Sequence, residues 1–210
     1  MTGIPVKTDE AENARHKEKA RKHKAAHDRI MATKTGEKGL LIVHTGTGKG
    51  KTSAALGMVF RHVGHGYPVA VVQFTKSPAW DTGEARVLAK FPELVTLHIM
   101  GEGFTWETQD RERDIAAARR GWERAKELIR DDRHRLVLLD ELNIVLRYDY
   151  LDISEVLAFL REEKPPDKHV VITGRNAKPE LIELADLVTE MTLIKHPFRA
   201  GVKAQKGIEF

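Results

Sequence analysis

The chain has 210 residues, 41% of them hydrophobic, so one substantial core can form and a single folded unit with a tail is expected. It contains no cysteine, which excludes a disulfide, a thiolate nucleophile and a cysteine-ligated cluster. Neither a signal-peptide-like stretch nor an apolar run long enough to span a membrane is present, so we expect a cytoplasmic protein without membrane insertion.

The net charge of +4 is confined to the beginning of the chain. Residues 1–38 contain 10 Lys and Arg against 6 Asp and Glu, whereas residues 39–210 contain 25 of each kind. We therefore predict a basic arm over 1–38 and a folded domain over 39–210. A dedicated nucleic-acid binder usually carries a basic patch on its folded surface, so no nucleic-acid partner is expected.

The arm includes a helix-forming stretch over residues 10–33, which contains neither Pro nor Gly. Its composition offers little apolar surface to bury against a domain. Two interpretations stay open: a solvated or disordered tail, or a segment that becomes helical as a lid over a bound ligand.

After the arm, short β-rich apolar runs alternate with segments of helical length. The runs occupy residues 40–44, 69–75, 94–100, 135–140, 169–173 and 187–194. Such alternation predicts an α/β fold with a mostly parallel sheet and helices on both faces.

A glycine-rich loop follows the first run, in the stretch HTGTGKGKTSAALG over residues 44–57. It approaches the phosphate-loop pattern G-x-x-x-x-G-K-[ST], although Thr45 stands where the first glycine belongs. Three glycines, Gly46, Gly48 and Gly50, would let backbone amides approach phosphate oxygens. Lys51 would then contact the phosphates and Thr52 a magnesium ion, whereas a glycine-rich turn without a ligand is the alternative.

An acidic pair lies at the end of the fourth run, where Asp140 and Glu141 follow RLVLL. The carboxyl ends of parallel strands share one edge of a sheet, so these carboxylates should lie near the phosphate loop. They could complete a magnesium shell, or they could serve only as a helix cap.

Two aromatic residues, Phe104 and Trp106, lie in the glycine-hinged loop MGEGFTWETQDRERD over residues 100–114. This loop follows the third run and therefore belongs to the same edge. Large aromatic side chains on a polar loop pack on the core or stack on a flat ligand, and the residues alone leave both interpretations open.

Together, several motifs carry a family resemblance: GTGKGKTSAALG, VAVVQFTK, MGEGFTWETQ, VLLDELN, VVITGR and KHPFRAGVKAQKGIEF. With them the chain resembles the ATP:corrinoid adenosyltransferases of the cobalamin pathway over roughly residues 37–210. The phosphate loop is shared by many unrelated nucleotide-binding proteins, whereas the aromatic-loop and C-terminal motifs are far more specific. The resemblance implies a phosphate-loop, recombinase-like domain preceded by an N-terminal helical arm.

The resemblance also implies a reaction. Family members transfer the 5′-deoxyadenosyl group of ATP to the Co(I) centre of a corrinoid and release triphosphate, with ATP reversed in its loop relative to ordinary phosphate-loop enzymes. It implies Mg²⁺ as cofactor, a homodimer, and an external electron donor such as a reduced flavoprotein. Whether the acceptor is complete cobalamin or a biosynthetic intermediate stays open.

By the same resemblance, site residues can be assigned. Lys51 and Glu141 would act on the departing triphosphate, while Phe104 and Trp106 would line the lower face of the corrin and exclude its axial ligand. Nucleotide contacts would come from Gly46, Thr47, Gly48, Lys49, Gly50, Lys51, Thr52, Ser53 and Arg175. Magnesium would be held by Thr52, Glu141 and Asp140.

Two places depart from the family pattern: Thr47, where relatives more often have Asn or Asp, and KSPAW over residues 76–80, which lacks the expected glycine-containing turn. Two other classes of function compete with the transferase. A recombinase-like ATPase or nucleic-acid-dependent switch would release orthophosphate, and a corrinoid carrier would consume no ATP.

Overall fold

The computed structural model describes residues 10–101, 103 and 110–209. The chain divides into a unit that ends at Glu37 and a larger unit that begins at Lys38. In the first, helix α1 spans Glu10–Ala32 and exposes most of its side chains from residue 12 onward. Pairs such as Lys24 Nζ with Asp28 Oδ2, 2.6 Å apart, link neighbouring turns of its surface.

The larger unit is built on a six-stranded sheet in which every strand pair is parallel. The strands are β1 (Leu41–Thr45), β2 (Val69–Gln73), β3 (Val95–Ile99), β4 (Leu136–Asp140), β5 (His169–Thr173) and β6 (Leu187–Glu190). Their order across the sheet is β3-β2-β4-β5-β1-β6. The α/β fold with a parallel sheet, predicted from the alternating runs, is confirmed.

Helices connect the strands of the larger unit. They are α2 (Lys51–Gly64), α3 (Gly83–Leu88), α4 (Arg111–Arg130), α5 (Leu142–Arg147), α6 (Ile153–Glu162) and α7 (Pro179–Leu184), with a 3-10 turn at Pro197–Ala200. No helix in the part of the chain that the structure describes is both long and apolar enough to cross a membrane.

The core consists of two hydrophobic clusters on opposite faces of the sheet. Along β1, Val43 belongs to the cluster beneath α4 to α7, and Ile42 to the cluster beneath α2 and α3. The other inner strands alternate in the same way, because successive side chains of a strand point to opposite faces. Both faces are buried, which explains why the strands read as continuous apolar runs.

Four of the predicted strands are longer than those observed. The run at 69–75 ends at Gln73, and the run at 187–194 ends at Glu190. Beyond β6 the backbone leaves the ladder, since the carbonyl of Met191 accepts from the Gly48 amide at 2.6 Å. Apolar side chains beyond that point, such as Ile194, are exposed rather than part of the sheet.

Candidate nucleotide site

The phosphate loop connects β1 to α2 at the carboxyl edge of the sheet. Gly46 has φ 93° and Gly50, the residue before α2, has φ 106°. Residues other than glycine rarely adopt such positive φ angles. A Cβ atom on Gly46 would also lie 2.5 Å from the carbonyl oxygen of Met191. The loop therefore needs glycine for its backbone conformation and also because the segment at Met191 approaches it closely.

Lys51 opens α2 and is buried, with 6% of its surface exposed. Its Nζ donates to the carbonyl oxygens of Gly46, at 2.9 Å, and Gly48, at 2.5 Å. Burial lowers the pKa of Lys51, while the nearby Glu141 carboxylate opposes that change. The amine thus lies inside the curve of the loop.

Asp140 ends β4 and holds the residue after Lys51. Its Oδ1 accepts from the Thr52 hydroxyl and from the Thr173 hydroxyl, each at 2.8 Å, and its Oδ2 accepts from Gln73 Nε2 at 3.4 Å. Only 1% of Asp140 is exposed. The predicted meeting of the phosphate loop with the carboxyl end of β4 is present in the structure.

Glu141 follows Asp140 in a left-handed conformation, with φ 63°, and its backbone amide donates to the Thr173 hydroxyl at 2.9 Å. Burial, and then the adjacent Asp140 carboxylate, raise the pKa of Glu141 to about 7 against the opposing cations. A strained backbone and a perturbed carboxyl group in one residue are features of functional sites.

The hydroxyl of Thr52 and the carboxylates of Asp140 and Glu141 are the oxygen ligands that a magnesium ion would find at this edge of the sheet. Among the described residues there is no cluster of three or more His, Cys, Asp or Glu side chains that could hold a metal without other ligands. Mg²⁺ in nucleotide sites usually takes only one or two protein carboxylates and completes its shell with phosphate oxygens and water. One hydroxyl and two carboxylates at this edge fit an ion bound together with a nucleotide.

The other predicted contact residues lie around the loop with varied surroundings. Thr47 and Ser53 are exposed. Lys49 pairs with Glu209, 160 positions along the chain. Arg175 is exposed, yet its charge opposes the rise in the pKa of Glu141 and adds to the lowering of the pKa of Lys51. Phe104 and Trp106 lie outside the described residues.

Apart from Asp140, sequence reasoning missed a row of buried polar side chains beneath the loop. Gln73, Asp140, Thr173 and His44 are buried and lie near the carboxyl ends of neighbouring strands, with Gln73 opposite Asp140 and His44 opposite Thr173 in the register. By alternation they share the α2 face of the sheet. The signal in the sequence was a polar residue near the end of each apolar run. Only the strand order shows that these residues lie side by side.

His44 differs from its neighbours in this row. Only 5% of it is exposed, and neither ring nitrogen has a hydrogen-bond partner among the residues that the structure covers. Burial lowers its pKa, so the neutral imidazole is favoured.

Lys76 was also missed. It follows β2, its Nζ contacts Glu84 Oε1, and the same nitrogen lies 3.7 Å from Asp140 Oδ2.

A glycine-rich loop before α2 and an acidic strand end beside it, on a parallel sheet, define a phosphate-loop protein of the α/β class. The fold resembles the flagellar accessory protein FlaH of Methanocaldococcus jannaschii, with TM-score 0.51 and 10% identity over 73% of this chain and 71% of that one. At that identity the likeness concerns the fold alone.

The sequence comparisons give the family. Residues 37–210 match the family described as ATP:corrinoid adenosyltransferase BtuR/CobO/CobP, and the chain belongs to that family. It is 63% identical to the corrinoid adenosyltransferase of Sinorhizobium sp over 96% of this chain and 94% of the relative. The corresponding protein of Pseudomonas aeruginosa is 54% identical, over 93% and 96% of the two chains. That of Escherichia coli K12 is 45% identical, over 93% and 98%.

Proposed function

We infer that this chain transfers the 5′-deoxyadenosyl group of ATP to the cobalt of a reduced corrinoid and releases triphosphate. Its family and the names of its relatives support this reaction over the ATPase and carrier alternatives. The observation that carries the proposal is the juxtaposition of buried Lys51 with Thr52, itself held by Asp140, at the carboxyl edge of the sheet.

The reaction that we propose is a displacement at the 5′-carbon of the ribose. The electron pair of Co(I) forms the cobalt–carbon bond, and the carbon–oxygen bond breaks with its electrons passing to triphosphate. The protein therefore needs no nucleophile of its own, in agreement with the absence of cysteine. Its task is to bind both substrates in line and to stabilise the leaving group.

Lys51 would carry the main part of that stabilisation. A buried ammonium beside a developing negative charge contributes more than an exposed one, because water does not screen it. On binding, Lys51 would exchange at least one loop carbonyl for a phosphate oxygen. The amides of Gly46 and Gly50 lie along the same loop, and that of Gly48 would first have to leave the Met191 carbonyl. The loop thus holds a leaving group and does not present a phosphate to water.

A bound magnesium ion would add positive charge to the triphosphate. Thr52, Glu141 and Asp140 are the residues that would hold it. Asp140 already accepts from Thr52 at 2.8 Å, which fixes where the hydroxyl oxygen lies. Further nucleotide contacts would come from Thr47, Lys49, Ser53 and Arg175, of which Lys49 must first leave Glu209.

We assign Phe104 and Trp106 to the lower face of the corrin. Apolar rings there would exclude the axial ligand of Co(II) and make its reduction easier. Replacing either by Ala should slow the reaction that starts from Co(II) far more than the one that starts from chemically reduced Co(I). Equal losses from both starting states would mean that the rings only position the corrin or stabilise the fold.

Residues 1–38 form the proposed arm and 39–210 the transferase domain. The arm would act as a lid, in a homodimer, that shields Co(I) from water and oxygen, because Co(I) is a strong reductant that is readily lost to both. The electron would come from an external donor such as a reduced flavoprotein, in the cytoplasm. Deleting residues 1–33 should weaken corrinoid binding and slow transfer while ATP binding is kept; an unchanged rate and affinity would identify a passive tail.

Product analysis tests the proposed function directly. With ATP, Mg²⁺, a corrinoid and a strong reductant, we expect one triphosphate per adenosylated corrinoid. Orthophosphate release that polynucleotide stimulates would instead identify a recombinase-like ATPase. Corrinoid binding without consumption of ATP would identify a carrier.

A further inference from the structure

We propose that Lys76 is a second triphosphate-binding cation of this site, held in place by Glu84 and Asp140. The proposal rests on the proposed function, because it concerns the leaving group of that reaction. It extends the site from the loop after β1 to the segment after β2, on the other side of β4 from β5.

Lys76 lies at the boundary between the site and the surface. Its side chain is 18% exposed, and that of its partner Glu84 is 21% exposed. The Nζ atom contacts Glu84 Oε1 on α3 and lies 3.7 Å from Asp140 Oδ2. One amine is therefore shared by two carboxylates from different elements.

The Asp140 carboxylate connects this amine to the phosphate loop. Its Oδ1 accepts from Thr52, the neighbour of Lys51, while its Oδ2 faces Lys76. Lys51 and Lys76 thus approach the same end of β4 from two sides. A lysine side chain is long and has rotatable donors, so Lys76 can exchange Glu84 for a phosphate oxygen without a change of backbone.

The surroundings distinguish this pair from an ordinary surface ion pair. Nearby, Arg86 pairs with Asp81, but those side chains are 60% and 64% exposed. Water screens such a pair, whereas it screens Lys76 much less. A leaving triphosphate brings several negative charges towards Asp140 and Glu141, and a cation on the Asp140 side offsets that repulsion.

A purely structural role for Lys76 makes a different prediction. If Lys76 served only to hold Glu84 and α3, loss of either partner would destabilise the protein and leave triphosphate affinity unchanged. If Lys76 binds triphosphate, loss of the two partners has opposite effects. Lys76→Met removes the cation, whereas Glu84→Gln removes a competing carboxylate and frees the amine.

The experiment is calorimetric binding of inorganic triphosphate with Mg²⁺ to the full chain. We expect Lys76→Met to weaken binding about 10- to 100-fold and Glu84→Gln to tighten it about 3- to 10-fold, as for charge-assisted contacts to phosphate. In the double variant, the Glu84→Gln change should have little further effect because the amine is absent. Lys76→Arg should recover part of the affinity.

The exposed residues Lys90 and Glu93, changed to Met and Gln, are the matched controls and should bind like wild type. Thermal unfolding establishes that each variant is folded. A folded Lys76→Met protein within twofold of wild-type affinity, or a Glu84→Gln protein that binds more weakly, would overturn the proposal. Failure of the wild-type chain to bind triphosphate at all would instead reject the nucleotide site, and Lys76 with it.

Discussion

Buried lysines lie at both ends of the sheet and make similar hydrogen bonds. At the carboxyl end, Lys51 donates to two loop carbonyls. Before the amino end of β5, Lys168 donates to the carbonyls of Asp131, at 2.7 Å, and His134. Lys164, which is half-buried, donates there to the carbonyl of Gly39 at 3.0 Å. Hydrogen bonding alone would not distinguish the two ends.

The neighbours of these lysines differ. Beside Lys51 lie the Thr52 hydroxyl, the Asp140 carboxylate and Glu141, whose pKa is raised to about 7. Lys164 and Lys168 instead hold together the connections that precede the strands, by donating to backbone carbonyls. A buried lysine on carbonyls thus indicates a ligand site only where carboxylates and a glycine-rich loop accompany it.

The largest effect that this comparison predicts is that of Lys51→Ala. Loss of a charge-assisted contact to the departing triphosphate should cost about 2–4 kcal/mol of transition-state stabilisation, or about 30- to 1,000-fold in the rate of adenosyl transfer. Single-turnover transfer from Co(I) measures it, with circular dichroism as the check of folding. A folded variant with near-normal turnover would reject the phosphate-loop assignment.

Lys168→Met should affect stability instead of transfer. Two carbonyls lose a buried donor, so the free energy of unfolding should fall by about 1–3 kcal/mol. Chemical denaturation measures this loss, and transfer per folded molecule should stay at the wild-type rate. A slower transfer with unchanged stability would give the amino end a part in function and remove the distinction.

The raised pKa of Glu141, at the carboxyl end, predicts a contribution to the pH dependence of stability. Its pKa of about 7 in the folded chain lies above the ordinary value of 4.5, so the folded state keeps a proton that the unfolded state releases. The free energy of unfolding should therefore fall as pH rises from 4.5 to 7 and show no further contribution from Glu141 above that window. Denaturation at several pH values compares wild type with Glu141→Gln, in which the contribution of Glu141 to this slope is absent. Identical slopes would contradict the assigned pKa.

The smallest expected effect concerns the polar row. At nearly constant volume, Thr173→Val removes one of the two 2.8 Å hydrogen bonds to Asp140 Oδ1 and also the acceptor of the Glu141 amide. We expect a loss of about 1 kcal/mol in ATP binding, or about fivefold, because Thr52 is held less firmly. Calorimetry with ATP and Mg²⁺ measures it, and unchanged affinity would mean that Asp140 needs only Thr52.

The sequence allowed the fold class, the family and the meeting of the phosphate loop with Asp140 to be predicted, because these depend on local motifs and on apolar runs. Lys76 was missed because a lysine shortly after a strand is usually solvated, and its partner Glu84 lies on the next helix. His44 and Thr173 become neighbours through the strand order, which no local pattern contains. The roles of Phe104 and Trp106 stay predictions.

The C-terminal segment, residues 191–209, has a practical consequence for producing the protein. The Met191 carbonyl accepts a hydrogen bond from the Gly48 amide of the phosphate loop, and the Glu209 carboxylate forms an ion pair with Lys49. An affinity tag with acidic residues, fused after this segment, would lie beside the loop and compete with Glu209 for the Lys49 amine. A purification handle placed ahead of α1, or a tag removed without leaving acidic residues, avoids that artefact in binding measurements.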